Sequence, residues 1–275
     1  MPVFTTLKQI LVLCWQERAV AARFGLVPIA VNLALVVIFR EDLEPSAASY
    51  VAQSLIGLVS VLAFAPFCIA WYRMILFGKD DVARRPLFTL KLPEFKFFGW
   101  TILISILLAL VSIIGLFAGG GIVVALAALG QAYAVAGGVV LGIGWAAALL
   151  MVLSRWSIVL AMVAADQPAD LKEAWTISKP YGWSMAAVQL LIFLAAGLLA
   201  ALALAGVIPE LMEASRSKTA PSASTLLALN LVSTIAGAAT LWLCSTLFAL
   251  VYRRIMSDQA AAAPAAAVPA PNPAP

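Results

Sequence analysis

Three arginines stand beside an aromatic residue where a long apolar run ends: Tyr72-Arg73, Arg155-Trp156 and Tyr252-Arg253. A guanidinium offers a planar fork of donors suited to phosphate oxygens, and anionic headgroups are the phosphates at a membrane surface. One reading therefore gathers Arg73, Arg155 and Arg253 around lipid headgroups. A plainer reading is that helices returning to the cytoplasm end in Trp or Tyr and a basic residue, because both settle at the interface. Other chemistry lacks its parts. The chain has no histidine, which removes the commonest metal ligand and general base. It holds no paired carboxylates, Ser/His arrangement or metal-spaced cluster. Gly119–Gly121 runs on into apolar residues instead of the lysine of a phosphate-cradling loop. Asp80-Asp81 and Asp166 with Asp170 lie near basic residues and read as charge balance. Cys14, Cys68 and Cys244 lack paired spacing and read as buried thiols rather than a disulfide or redox site. The expectation is a non-catalytic protein without cofactor or metal.

The elements that carry these residues follow from where charge is missing. From Phe97 to Ser154 there are 58 residues without Asp, Glu, Lys, Arg or His. One membrane crossing takes about 20 apolar residues, so this stretch is sufficient for two. It predicts a hairpin, with Gly119–Gly121 and Gly137–Gly138 as places to turn. The whole chain is 64% hydrophobic and 11% charged, against roughly 25% charged in a soluble domain. Its fold class is therefore all-α, a polytopic transmembrane bundle. The other crossings fall at about Ala19–Phe39, Val51–Phe77, Ser184–Ile208 and Leu226–Tyr252, making six in all, with Pro28 and Pro66 inside the first two and Pro209 ending the fifth. Short interfacial helices join them. One starts from Thr5 as N-cap with Leu7, Ile10, Leu11 and Cys14 recurring at helical spacing, and reads as a surface helix or an extension of the first crossing. Another follows Asp170, with Leu171, Ala174, Trp175 and Ser178 on one face, and stops at Lys179-Pro180. Lys79–Lys96 reads as an interfacial loop and Glu210–Ser224 as a polar loop. No cleaved signal peptide is expected, the first crossing serving as an uncleaved one. The domain spans residues 1–256, and the Ala/Pro tail of 257–275 reads as disordered.

Orientation follows from basic residues, which favour the cytoplasmic side. Six crossings put Lys8, Arg18, Arg23, Arg73, Lys79, Arg84, Arg85, Lys91, Lys96, Arg155, Lys172, Lys179, Arg253 and Arg254 on one side, and Arg40, Arg216 and Lys218 on the other. Both termini are thus expected in the cytoplasm. The net charge of +4 belongs to this bias and not to nucleic acid, since no basic, aromatic-interleaved face lies outside the crossings.

Within or beside the crossings the polar residues are Asn32, Gln53, Gln131, Gln189 and Asn230. They are read as hydrogen-bonding neighbouring helices, or as lining a substrate path. Gly115/Gly119 and Gly138/Gly142 have the spacing that lets helix backbones approach, here within the chain. No Asp, Glu, Lys or His falls near a bilayer midplane, where ion-coupled transporters place their coupling group.

The text from Arg155 onward, RWSIVLAMVAADQPADLKEAWTISKPYGW, resembles a group of six-helix bacterial inner-membrane proteins that includes the YciC-like family and the membrane domain of some glycerophosphodiester phosphodiesterases. Arg155, Ala174, Trp175, Ser178 and Gly182 match its pattern of an Arg-led helix end, a short amphipathic helix, a hydroxyl residue and a glycine. WYRMILFGKD resembles its helix end after the second crossing, with Tyr72 where a histidine often stands and Ala161–Ala165 where a proline is common. The resemblance implies a multi-pass protein of the bacterial inner membrane. It assigns no catalytic residues, and suggests membrane lipids as partners and a role in envelope or lipid homeostasis. The alternative is a facilitator or transporter subunit for a neutral or lipid-like substrate.

Overall fold

The computed structural model describes residues 2–38, 47–83, 85–86, 88–217 and 222–262. Among them the chain forms helices and no strand. In hydrocarbon every backbone donor must be satisfied within its own segment, and a helix does this. In chain order the elements are α1 (Val3–Gln16), α2 (Arg18–Ile38), α3 (Ala47–Phe77), α4 (Lys79–Ala83), α5 (Leu92–Ala127), α6 (Gln131–Trp156), α7 (Ile158–Ala164), α8 (Leu171–Ile177), α9 (Gly182–Ala203), α10 (Ile208–Ser217) and α11 (Ala223–Ala262). Six of them, α2, α3, α5, α6, α9 and α11, are long and apolar enough to cross a membrane. The chain is therefore a multi-pass, all-α membrane protein.

Helices α3, α5, α6, α9 and α11 touch in that order around a ring, which the contact of α11 with α3 closes. α2 lies outside the ring in the groove between α3 and α11. At one end, α7 packs across the ring against α3, α5, α6 and α11. Its residues from Ile158 to Ala164 are all buried except Leu160. This is the end that carries Arg73, Arg155 and Arg253. Most of the buried side chains lie there, among them Trp71, Tyr72, Met185, Leu247 and Val251. At the far end Phe117, Val140, Leu199 and Ile235 are exposed, as apolar side chains can be where hydrocarbon is the solvent.

Several boundaries differ from expectation. The hairpin turns at Leu129-Gly130, where Gly130 takes a φ of +136°. Gly119–Gly121 and Gly137–Gly138 stay helical, because a break inside hydrocarbon would strand backbone groups while a break at the tip need not. Pro209 opens α10 instead of ending a crossing. Proline suits a first helical turn, whose N–H groups have no intrahelical partner, so most of the expected 210–224 loop is helical. α1 begins before Thr5, and its buried residues are Thr6, Ile10 and Cys14. It packs on α9, α11 and α2, with Cys14 Sγ 3.4 Å from Thr246 Oγ1. Leu11 points away, half exposed. α11 continues helical past Ser257 to Ala262. Arg40, Arg84, Lys218, the side chain of Gln53 and the tail beyond Ala262 lie outside the described residues.

Candidate functional site

The three arginines serve three different helix ends. Arg73 makes a two-pronged pair with Asp81, Nε to Oδ2 at 2.7 Å and Nη2 to Oδ1 at 3.0 Å. Its Nη1 reaches Asp166 and the carbonyl of Ala164, the last residue of α7. Asp166 sits at a φ of +58°, a conformation aspartate tolerates better than most residues. Arg253 donates to the carbonyl of Ile75 at 3.3 Å, in the last turn of α3. Arg155 donates to the carbonyl of Trp175, in the last turn of α8, and lies within 3.4 Å of Ser178 Oγ. Each cation thus meets carbonyls that lack an intrahelical donor and carry the negative end of the helix dipole.

Of the acids read as charge balance, Asp81 and Asp166 pair with Arg73, whereas Asp170 accepts from the Lys172 N–H to cap α8. The Arg73 guanidinium holds the Asp81 carboxyl below the usual carboxylate range. The residues that carry the family resemblance come together in space. Arg155 stacks over the Trp175 ring, Ala174 and Ser178 are fully buried, and a Cβ on Gly182 would come within 3.1 Å of Arg155 Cδ.

One further end-of-helix residue escaped the sequence reading. Glu94 is buried in the first turn of α5, where Oε2 accepts from the Lys91 N–H at 3.0 Å and Oε1 lies 3.6 Å from Arg85. The signal was present in Pro93-Glu94, a proline followed by an acid at a helix start.

The ring holds a half-open cavity of about 500 Å³, within the roughly 300–1,000 Å³ of small-molecule sites. It lies in the half of the bundle nearer the arginines. Its wall is mainly apolar, with Phe64, Phe97, Phe193, Leu241 and Phe248 prominent, and no Asp, Glu, Lys or Arg lines it. Of the polar residues singled out in sequence, Gln189 is in this wall, and Ser60 in the wall is tied to Asn32 at 2.6 Å. Asn32 thereby joins α2 to α3. Gln131 starts α6 at the hairpin tip, and Asn230 is not in the cavity wall. A second cavity of about 290 Å³ lies between α2, α3 and α11, and Phe64 belongs to both walls.

Of the glycines read as close approaches, Gly115 faces Trp145 so tightly that a Cβ would fall 2.0 Å from the indole, while Gly119 and Gly142 face open space. Gly137, outside the expected pairs, is covered by Leu126, 2.2 Å from where its Cβ would be. The described residues contain no group of His, Cys, Asp and Glu placed to hold a metal ion. No family model, curated protein or solved structure matches this chain.

Proposed function

We propose that this chain is a non-catalytic protein of a bacterial inner membrane, with both termini in the cytoplasm, that holds a lipid-like apolar ligand inside its helix ring and serves envelope or lipid homeostasis. The observation that carries the reading is the uncharged, aromatic-lined cavity at membrane depth. Burial of hydrocarbon against such a wall is favourable at about 25 cal/mol per Å². An ionic ligand would find no counter-charge there, and an unpaired charge in low dielectric is strongly disfavoured. The basic residues crowded at one end favour a cytoplasmic placement for that end.

Gly237 supplies the test. It lines the cavity, and a Cβ added there meets nothing within 4 Å. Gly237→Phe should fill the space while leaving the ring intact. Mass spectrometry of lipid retained by purified wild type and variant is the measurement. Loss of a bound species in the variant supports the reading, and equal retention ends it.

A facilitator role is the second reading, favoured by Phe64 standing between the two cavities. Phe64→Ala would join them. Faster exchange of a bound neutral lipid in that variant would support passage over storage.

A further inference from the structure

Which part of the lipid-like ligand proposed above is recognised depends on the wall groups left free to bond it. Most hydroxyls in the cavity wall are occupied by their own helices. Ser60 donates to the Ile56 carbonyl at 2.7 Å, Thr101 to Phe97 at 2.9 Å and Thr240 to Ala236 at 2.8 Å. Ser245 Oγ lies 4.0 Å from Cys68 Sγ across α3 and α11. Two wall residues are different.

Gln189 on α9 is 2% exposed. Its amide meets Ser154 Oγ at 2.6 Å through Oε1, while the same hydroxyl lies 2.7 Å from the Leu150 carbonyl. A hydroxyl has one proton to give. Whichever acceptor takes it, one end of the Gln189 amide is left without a partner among the described residues. Ser157, where α6 passes into α7, is 4% exposed, and its hydroxyl makes no side-chain hydrogen bond there either. Ser154 and Ser157 are three residues apart on continuous helical backbone, so they share a face. Both unpartnered groups therefore belong to one stretch of wall where α6 meets α9. Neither group is sealed in protein as the unpartnered Trp242 Nε1 is, and both belong to the cavity wall, where a ligand atom can reach them.

We infer that the cavity is built for a neutral lipid with a single uncharged oxygen, a hydroxyl or a carbonyl, which seats between Gln189 and Ser157 while its hydrocarbon fills the aromatic part of the wall. A phosphate headgroup does not fit this seat, since no lysine or arginine of the described residues lines it.

The test uses full-length protein in maltoside micelles with radiolabelled 1-hexadecanol, 2-hexadecanone and hexadecane, binding to empty micelles being subtracted. Wild type should hold the alcohol and the ketone about tenfold more tightly than the alkane, the worth of one or two buried hydrogen bonds. Gln189→Leu and Ser157→Ala should each erase most of that difference without weakening the alkane. Gly237→Phe should abolish binding of all three. Should the alcohol-to-alkane ratio be the same in wild type, Gln189→Leu and Ser157→Ala, the oxygen seat is wrong while the cavity reading stands. Full binding in Gly237→Phe, or no binding to wild type, overturns both. A lysophosphatidate that displaces hexadecanol more strongly than hexadecanol itself also overturns the seat. Ser157→Ala is a small change, and carries the test if Gln189→Leu does not fold.

Discussion

The guanidinium of Arg155 lies 3.6 Å from the centre of the Trp175 indole and donates to the backbone carbonyl of the same residue. One cation thus holds both the side chain and the last turn of α8. It is 7% exposed and has no carboxylate partner among the described residues. Its charge is compensated by the ring face, the carbonyl and the nearby Ser178.

Removing either partner should therefore loosen α8 from α6. Arg155→Ala and Trp175→Leu should each destabilise by about 2 kcal/mol, the range of a desolvated cation–π contact. Arg155→Lys should recover little, because an ammonium lacks the flat face and the fork. A double-mutant cycle on thermal unfolding in detergent checks this. Strict additivity of the two substitutions would show that the stack contributes nothing.

Arg73 and Asp81 set a pH dependence. Arg73 holds the folded pKa of Asp81 below that of a free aspartate. A lowered carboxylate contributes stability that is present above its unfolded pKa and lost as pH falls through the folded one. Wild type should therefore be more stable than Asp81→Asn at neutral pH, and the two melting curves should converge below about pH 3.8. A gap that stays constant well below that pH would mean the pair is not the source.

Within the α5–α6 hairpin, two glycines of the same spacing should behave oppositely. Gly115→Val forces a branched side chain into the Trp145 indole and should cost about 1–3 kcal/mol, the usual effect of overpacking. Gly119→Val meets open space and should be tolerated. Comparing the thermal midpoints of the two variants decides it, and equal midpoints would contradict the close approach.

Cys14 and Thr5 report on topology together. The Cys14 thiol is buried beside Thr246 and burial pushes its pKa up, so its thiolate is scarce and maleimide labelling should be slow. Thr5 is exposed on the same helix. In a variant with Thr5→Cys, a membrane-impermeant maleimide should label inverted vesicles and spare intact spheroplasts. Labelling from the periplasmic side would reverse the orientation proposed above.

Much of the fold was legible because charge and lipid are incompatible. The uncharged run from Phe97 to Ser154 located the hairpin, and Asp170 with Lys179-Pro180 delimited α8 nearly to the residue. What failed were rules learned in water. Gly119–Gly121 would mark a turn in a soluble loop, yet in hydrocarbon the helix continues until Gly130. Pro209 was taken for a terminator, although its missing N–H costs nothing in a first turn. The cavity was not legible at all. Gln189 drew notice as a polar residue in a crossing, but its placement with Ser157 depends on α6 and α9 meeting side by side around a ring, which no local spacing encodes.

The grading of burial along the ring has a bearing on what surrounds it. At the arginine end the buried side chains of α7 pack across the ring beside the cavity. Towards Gly130 and Leu199 the rods present hydrocarbon outward on most sides. Such a surface is at ease only in an apolar phase, so the spread of the α5, α6 and α9 tips answers to the thickness of the phase that holds them.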